Sequence, residues 1–120
     1  MKILLVEDET IIALELKQFL EDRGFTVMQP AMSADEASRF ALAYRPDVIL
    51  MDLILIGEKS GIDAALTILQ EYQVPIIYIT GNEQLLKDPR LQNHPPLAIL
   101  PKPADPSVLL ETLENLRSIN

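Results

Sequence analysis

Val48-Ile49-Leu50-Met51-Asp52 sets four apolar residues, β-branched at the front, directly against a carboxylate with no turn residue between them. Such a run predicts a strand buried on both faces of a sheet. A buried parallel strand delivers its C-terminal residue to the sheet edge where ligands collect. Asp52 is therefore either a turn or helix-capping acid or a reactive centre, and the segments around it decide between the two.

Working outward, the same grammar recurs. Before this strand, Ser33-Ala34-Asp35-Glu36 reads as a capping box, with Ser33 as N-cap and Glu36 reaching back. The helix it opens carries Ala37, Phe40, Ala41 and Tyr44 on one side, and Pro46 closes it. Earlier still, Lys2–Val6 is an apolar run ending on Glu7, Asp8 and Glu9. Ile12, Leu16, Phe19 and Leu20 follow at helical spacing, Gly24 is placed to end that helix, and Phe25–Met28 reads as a strand. After the central strand, a loop with Gly57 and Gly61 leads into the stripe Ile62, Ala65, Leu66, Leu69. Val74–Ile79 is a strand running into Thr80-Gly81, and Leu97–Leu100 is a last short strand before Pro101-Lys102-Pro103. Asp105-Pro106 is an N-cap followed by proline at the first helical position, and Leu109, Leu110, Leu113 and Leu116 line the helix behind it. Strands alternate with helices five times, which predicts an α/β domain with a parallel sheet and helices on both faces. Asn82–Pro96 breaks the rhythm: Pro89, Pro95 and Pro96 allow at most a short helix over Glu83–Lys87.

The chain has 120 residues, 48% of them apolar, enough for one domain with one core. It has no cysteine, which excludes disulfides, thiolate metal sites and a cysteine nucleophile. A net charge of −8 argues against a nucleic-acid surface, because such binding depends on neutralising phosphates. No apolar run approaches the roughly 18 residues of a membrane span, and nothing resembles a signal peptide, so a cytoplasmic domain is expected.

Polar residues follow four of the strands: Glu7 and Asp8, Asp52, Thr80 and Lys102. Each alone has an ordinary reading: Glu7 and Asp8 as helix-capping acids, Thr80-Gly81 as a strand-ending turn, Lys102 as solvated surface. In a parallel sheet, however, all these ends share one edge. The strand order 2-1-3-4-5 would open a crevice between the first and third strands, lined by Glu7, Asp8 and Asp52. Carboxylates about 4 Å apart repel by roughly 4 kcal/mol at an effective dielectric near 20. A proton, Lys102 or a hard divalent cation would relieve that. All-oxygen donors without His or Cys select Mg²⁺, or Mn²⁺, over zinc or copper. A carboxylate beside such an ion, with a lysine and a hydroxyl nearby, suits uptake of a phosphoryl group as an aspartyl phosphate.

Glu7-Asp8, Asp52, Thr80 and Lys102-Pro103 together resemble the signature of the response-regulator receiver domain of two-component signalling, over essentially the whole chain. The resemblance implies a flavodoxin-like, doubly wound five-stranded sheet of order 2-1-3-4-5. It implies Asp52 as phosphoacceptor, Thr80 and Lys102 as phosphoryl contacts, and Mg²⁺ on Glu7 (through water), Asp8, Asp52 and the backbone carbonyl of Ile54. It also implies a cis Lys102–Pro103 peptide. Three positions depart from the usual pattern: Ile99 replaces the aromatic switch residue, Gly81 follows the threonine, and prolines occupy the fourth-helix region. With Gly57-Glu58-Lys59-Ser60 and Tyr78-Ile79-Thr80-Gly81, these resemble the alphaproteobacterial single-domain receivers with a Phe-Ala-Thr-Gly-type fourth strand.

The expectation is a single receiver domain over residues 1–120, with no output domain and no turnover activity. It would take a phosphoryl group from a histidine kinase or histidine phosphotransfer protein and act by associating with a downstream protein. Three rivals fit less well. A haloacid-dehalogenase-like phosphatase needs Asp-x-Asp where this chain has Glu7-Asp8-Glu9-Thr10. A flavodoxin-like carrier would set its FMN phosphate against those acids, and no G-x-x-x-x-G-K-[ST] loop of a P-loop kinase is present.

Overall fold

The computed structural model describes residues 1–119. β1 (Lys2–Val6), α1 (Thr10–Glu21), β2 (Thr26–Val27), α2 (Ala34–Tyr44), β3 (Val48–Asp52), α3 (Gly61–Leu69), β4 (Ile76–Thr80), β5 (Ala98–Pro101) and α4 (Pro106–Ile119) follow one another along the chain. All pairings are parallel and the sheet order is β2-β1-β3-β4-β5, the flavodoxin-like doubly wound topology. Every residue of β3 and β4 is buried.

The strands lack polar alternation because both faces are covered. Leu4, Val6, Ile49, Met51, Ile76 and Tyr78 pack on one face against Ala37, Ala41, Ala65 and Ile68 of α2 and α3. Ile3, Leu5, Val48, Leu50, Ile77 and Ile79 pack on the other against Ala13 and Leu20 of α1 and Leu109 and Leu113 of α4.

Several element boundaries differ from the sequence reading. β2 shrinks to Thr26–Val27, because Pro30 ends the ladder two residues after Met28 bonds to Ile3. β4 begins after Pro75 and takes in Thr80, and β5 shifts one residue to take in Pro101. α1 is turned from its apparent stripe: Ala13 is buried, while Ile12 is 40% exposed. In α2, Ser33 Oγ accepts from Glu36 N–H, but the Glu36 carboxylate reaches past Ser33 to the Met32 N–H at 2.8 Å. Pro46 follows Arg45, which ends α2 in the left-handed region at φ 47°. Between β4 and β5 there is no α-helix, only 3₁₀ turns at Glu83–Lys87 and Pro89–Leu91, where Pro89 interrupts helical hydrogen bonding.

Candidate functional site

β1 and β3 lie side by side, with Val6 opposite Met51, so the next residue of each, Glu7 and Asp52, emerges at the same rim. Their outer partners diverge there, β2 to one side and β4 to the other, which makes the rim a topological switch point. Glu7 is 6% and Asp52 5% exposed, an unusual setting for two acids that share a cleft. Asp8 stands beside them half-buried, and carboxylate oxygens of Glu7, Asp8 and Asp52 all lie within 4.8 Å of one another.

Lys102 supplies the counter-charge. It follows β5, and the Lys102–Pro103 peptide is cis. Its Nζ donates to Asp52 Oδ2 at 2.7 Å and stands 3.7 Å from Glu7 Oε1. Burial alone would depress the ammonium, but the hydrogen bond and charge of Asp52, with Glu7 and Glu9 beyond, hold it above its usual value. The other Asp52 oxygen accepts the Ile54 N–H at 3.1 Å. Glu7 is the acid left in excess: burial, then the Asp52 carboxylate, push its carboxyl up to about 7 against the opposing pull of the Glu9 N–H.

Thr80 ends β4, 3% exposed, and its hydroxyl is engaged locally. Oγ1 accepts the Asn82 N–H at 3.0 Å and donates to the Asn82 carbonyl at 3.3 Å. Glu7 and Asp8 are not the helix cap that their position also suggested: the N-cap of α1 is Glu9, without a side-chain bond. One backbone requirement was not evident from sequence. Gly61, the first residue of α3, sits so close to the Asp52 carbonyl that a side chain there would collide with it, and its N–H bonds to Leu53 at 2.9 Å. A glycine opening a helix after a strand-end acid was the available signal. Beside the acids a groove of about 390 Å³ runs between α1 and Pro103–Pro106.

The donor set fits a hard divalent cation: oxygen ligands only, clustered within 4.8 Å, one of them burdened with a proton that an ion would displace. What the fold and rim define is a parallel α/β domain with an acid cluster and a partly buried lysine at its switch point. The chain matches the model of the response regulator receiver domain over residues 3–114. It belongs to that family, the receivers of two-component signalling. It is similar to the phyllosphere-induced regulator PhyR of Methylorubrum extorquens, 35% identical over 108 residues that make up 88% of this chain and 39% of PhyR. It is also similar to the transcriptional regulatory protein PdtaR of Mycobacterium tuberculosis, 30% identical over 94% of this chain and 55% of PdtaR. The chain thus spans between about a third and just over half of these relatives' lengths. A two-component response regulator from Clostridium difficile superposes with a TM-score of 0.85 at 25% identity, covering 99% of this chain and 98% of that one.

Proposed function

We propose that this receiver is a phosphoacceptor switch in which Asp52 takes a phosphoryl group from the phosphohistidine of a histidine kinase or histidine phosphotransfer protein. The observation that carries the reading is the buried Asp52 carboxylate held at 2.7 Å by Lys102 inside a cluster of acids. Glu7 (through water), Asp8, Asp52 and the Ile54 carbonyl would hold Mg²⁺, with Mn²⁺ the alternative; when bound, it neutralises acid charge and orients phosphoryl oxygens.

Both Asp52 oxygens are engaged, one by Ile54 N–H and one by Lys102. One must be released to attack phosphorus. The new bond is Asp52 O–P, the broken one is the P–N bond of phosphohistidine, and the imidazole departs as neutral histidine once its nitrogen is protonated. The Lys102 ammonium follows the negative charge from carboxylate to phosphoryl oxygen, and the Thr80 hydroxyl leaves Asn82 to donate to another. The sequence has Ile99 where receivers carry an aromatic switch, so the change is read out through the segment that follows Thr80.

The product is a phosphorylated protein, so the chain acts as a stoichiometric signal carrier in the cytoplasm and not as a turnover enzyme. Residues 1–120 form one receiver domain, and the output is association with a downstream protein, not nucleic acid or membrane. Among the described residues no helix is long and apolar enough to cross a membrane. A role in transcriptional regulation, as the name of PdtaR states for that protein, would be reached through such a partner.

Incubation with Mg²⁺ and acetyl phosphate, followed by intact-mass measurement, tests the reading. The expected result is one added phosphate, absent in Asp52→Asn and in excess EDTA. A phosphate retained by Asp52→Asn, or continuous phosphate release with no stable adduct, overturns it.

A further inference from the structure

The sheet face that carries Thr80 also carries Tyr78, two residues earlier on β4. Tyr78 is 1% exposed, and its hydroxyl has no hydrogen-bond partner. Burial pushes the phenol up to about 12, so it remains a neutral donor. The other buried side-chain polar atom without a partner is Nδ1 of His94. The two residues line the same cavity of about 170 Å³, Tyr78 from the strand and His94 from the proline-rich chain opposite, with Leu69, Val74, Ile76 and Pro96 among the other walls. Buried polar groups left unpaired are rare because desolvation is not repaid, and two facing one cavity call for an explanation.

The segment that brings His94 to this cavity is lightly attached. Between Asn82 and Pro96 only Leu91 is buried. Arg90 reaches Asp63 of α3 at 3.3 Å through an exposed ion pair, a weak kind of tie. At its root, the Asn82 backbone is fastened by both hydrogen bonds to the Thr80 hydroxyl. That is the group which, on the phosphoacceptor reading, leaves Asn82 when Asp52 is loaded.

We infer that Asn82–Pro96 is a hinged strap with a second seat, reached when Thr80 releases Asn82, in which the Tyr78 hydroxyl donates to His94 Nδ1 across the closed cavity. The inference rests on the phosphoacceptor reading for its trigger. It makes Tyr78 the aromatic that registers the state of the site: the ring stays in the core and its hydroxyl gains a partner, instead of the ring rotating between two positions. A strap with two seats separated by a few hydrogen bonds is the kind of bistable element a small change at Thr80 can bias. Leu91 and the 3₁₀ turns around it would carry the difference to the surface that a partner reads.

His94 is the chain's one histidine, so its ring nitrogens give an unambiguous NMR signal. The experiment records those ¹⁵N resonances and the amides of residues 82–96 in the full chain, before and after addition of Mg²⁺ and beryllofluoride. Intact mass after acetyl phosphate is measured alongside. Expected is a neutral ring protonated at Nε2 whose Nδ1 resonance shifts as it accepts a hydrogen bond, with concerted amide shifts along the strap. Both responses should be lost in Tyr78→Phe, which keeps the ring and should still gain a phosphate; His94→Gln tests the same pair from the other side. A wild-type chain that gains phosphate while the His94 signals stay put, or move equally in Tyr78→Phe, overturns the latch alone. A wild-type chain that gains no phosphate overturns the phosphoacceptor reading and removes the latch's trigger with it.

Discussion

Glu7 shows how a single buried acid ties stability to pH. Its carboxyl titrates near 7 in the folded chain, against an ordinary value of 4.5, because burial and the Asp52 charge disfavour ionisation. Between those two values the folded chain keeps a proton that the unfolded chain has lost. Folding therefore binds protons, and stability falls as pH rises through that window. The shift corresponds to up to about 3 kcal/mol, fully lost above the folded value. Urea midpoints measured in EDTA at pH 4.5 and 7.5 should show this decline relative to Glu7→Gln, whose midpoint should lack it. Lys102 predicts differently. Its ammonium compensates Asp52 and Glu7 but is no ligand for a cation, so Lys102→Ala should leave Mg²⁺ affinity largely intact. Phosphorylation should still occur while its effect on strap and partner is lost, since the group that follows the moving charge is gone. Calorimetric Mg²⁺ titration beside partner capture separates the two effects.

At the scale of the element, α3 begins where it does because glycine lets its first turn abut the Asp52 carbonyl. Gly61→Ala forces either the helix or the end of β3 to move. The expected loss is about 1–3 kcal/mol in urea denaturation, the usual range for overpacking, with slower phosphate uptake because Asp52 moves too. That contact shows which features the sequence could disclose. Strand ends were readable because an apolar run that stops on an acid, a threonine or a lysine marks both burial and edge; Glu7, Asp52, Thr80 and Lys102 followed from that alone. The prolines equally announced that no α-helix would follow β4. Where several registers satisfied the same local pattern, the reading slipped. α1 offered Ile12 or Ala13 to the core, and only packing against β1 and β5 chose alanine. Glu36 could bond Ser33 or Met32, and the chain's entry from β2 decided it. Gly61's approach to Asp52 and the unpaired atoms of Tyr78 and His94 join residues distant in sequence, and no spacing rule exposes such contacts.

For the molecule as a whole, the acids matter because of where the topology puts them. Glu7 and Asp8 end the strand from which the sheet winds toward β2, and Asp52 ends the strand from which it winds toward β4 and β5. A cation held among them would join the two windings at the one place where no hydrogen-bonded ladder does. An ion that binds only the folded chain stabilises it by mass action, about 2.7 kcal/mol at a free concentration one hundred times the dissociation constant. The effect should reach the whole domain, since β1 and β3 form the centre of both cores and cannot unfold separately. Urea denaturation with and without saturating Mg²⁺ should therefore show a higher midpoint with an unchanged m value, because the surface exposed on unfolding is the same. Asp8→Asn removes one of the three acids without emptying the core, since Asp8 is half-buried at the rim. It should keep the metal-free midpoint or raise it slightly, as repulsion in the cluster falls, while losing most of the Mg²⁺-induced gain. Equal gains in the wild type and Asp8→Asn would place the ion elsewhere on the acidic surface, away from Asp52.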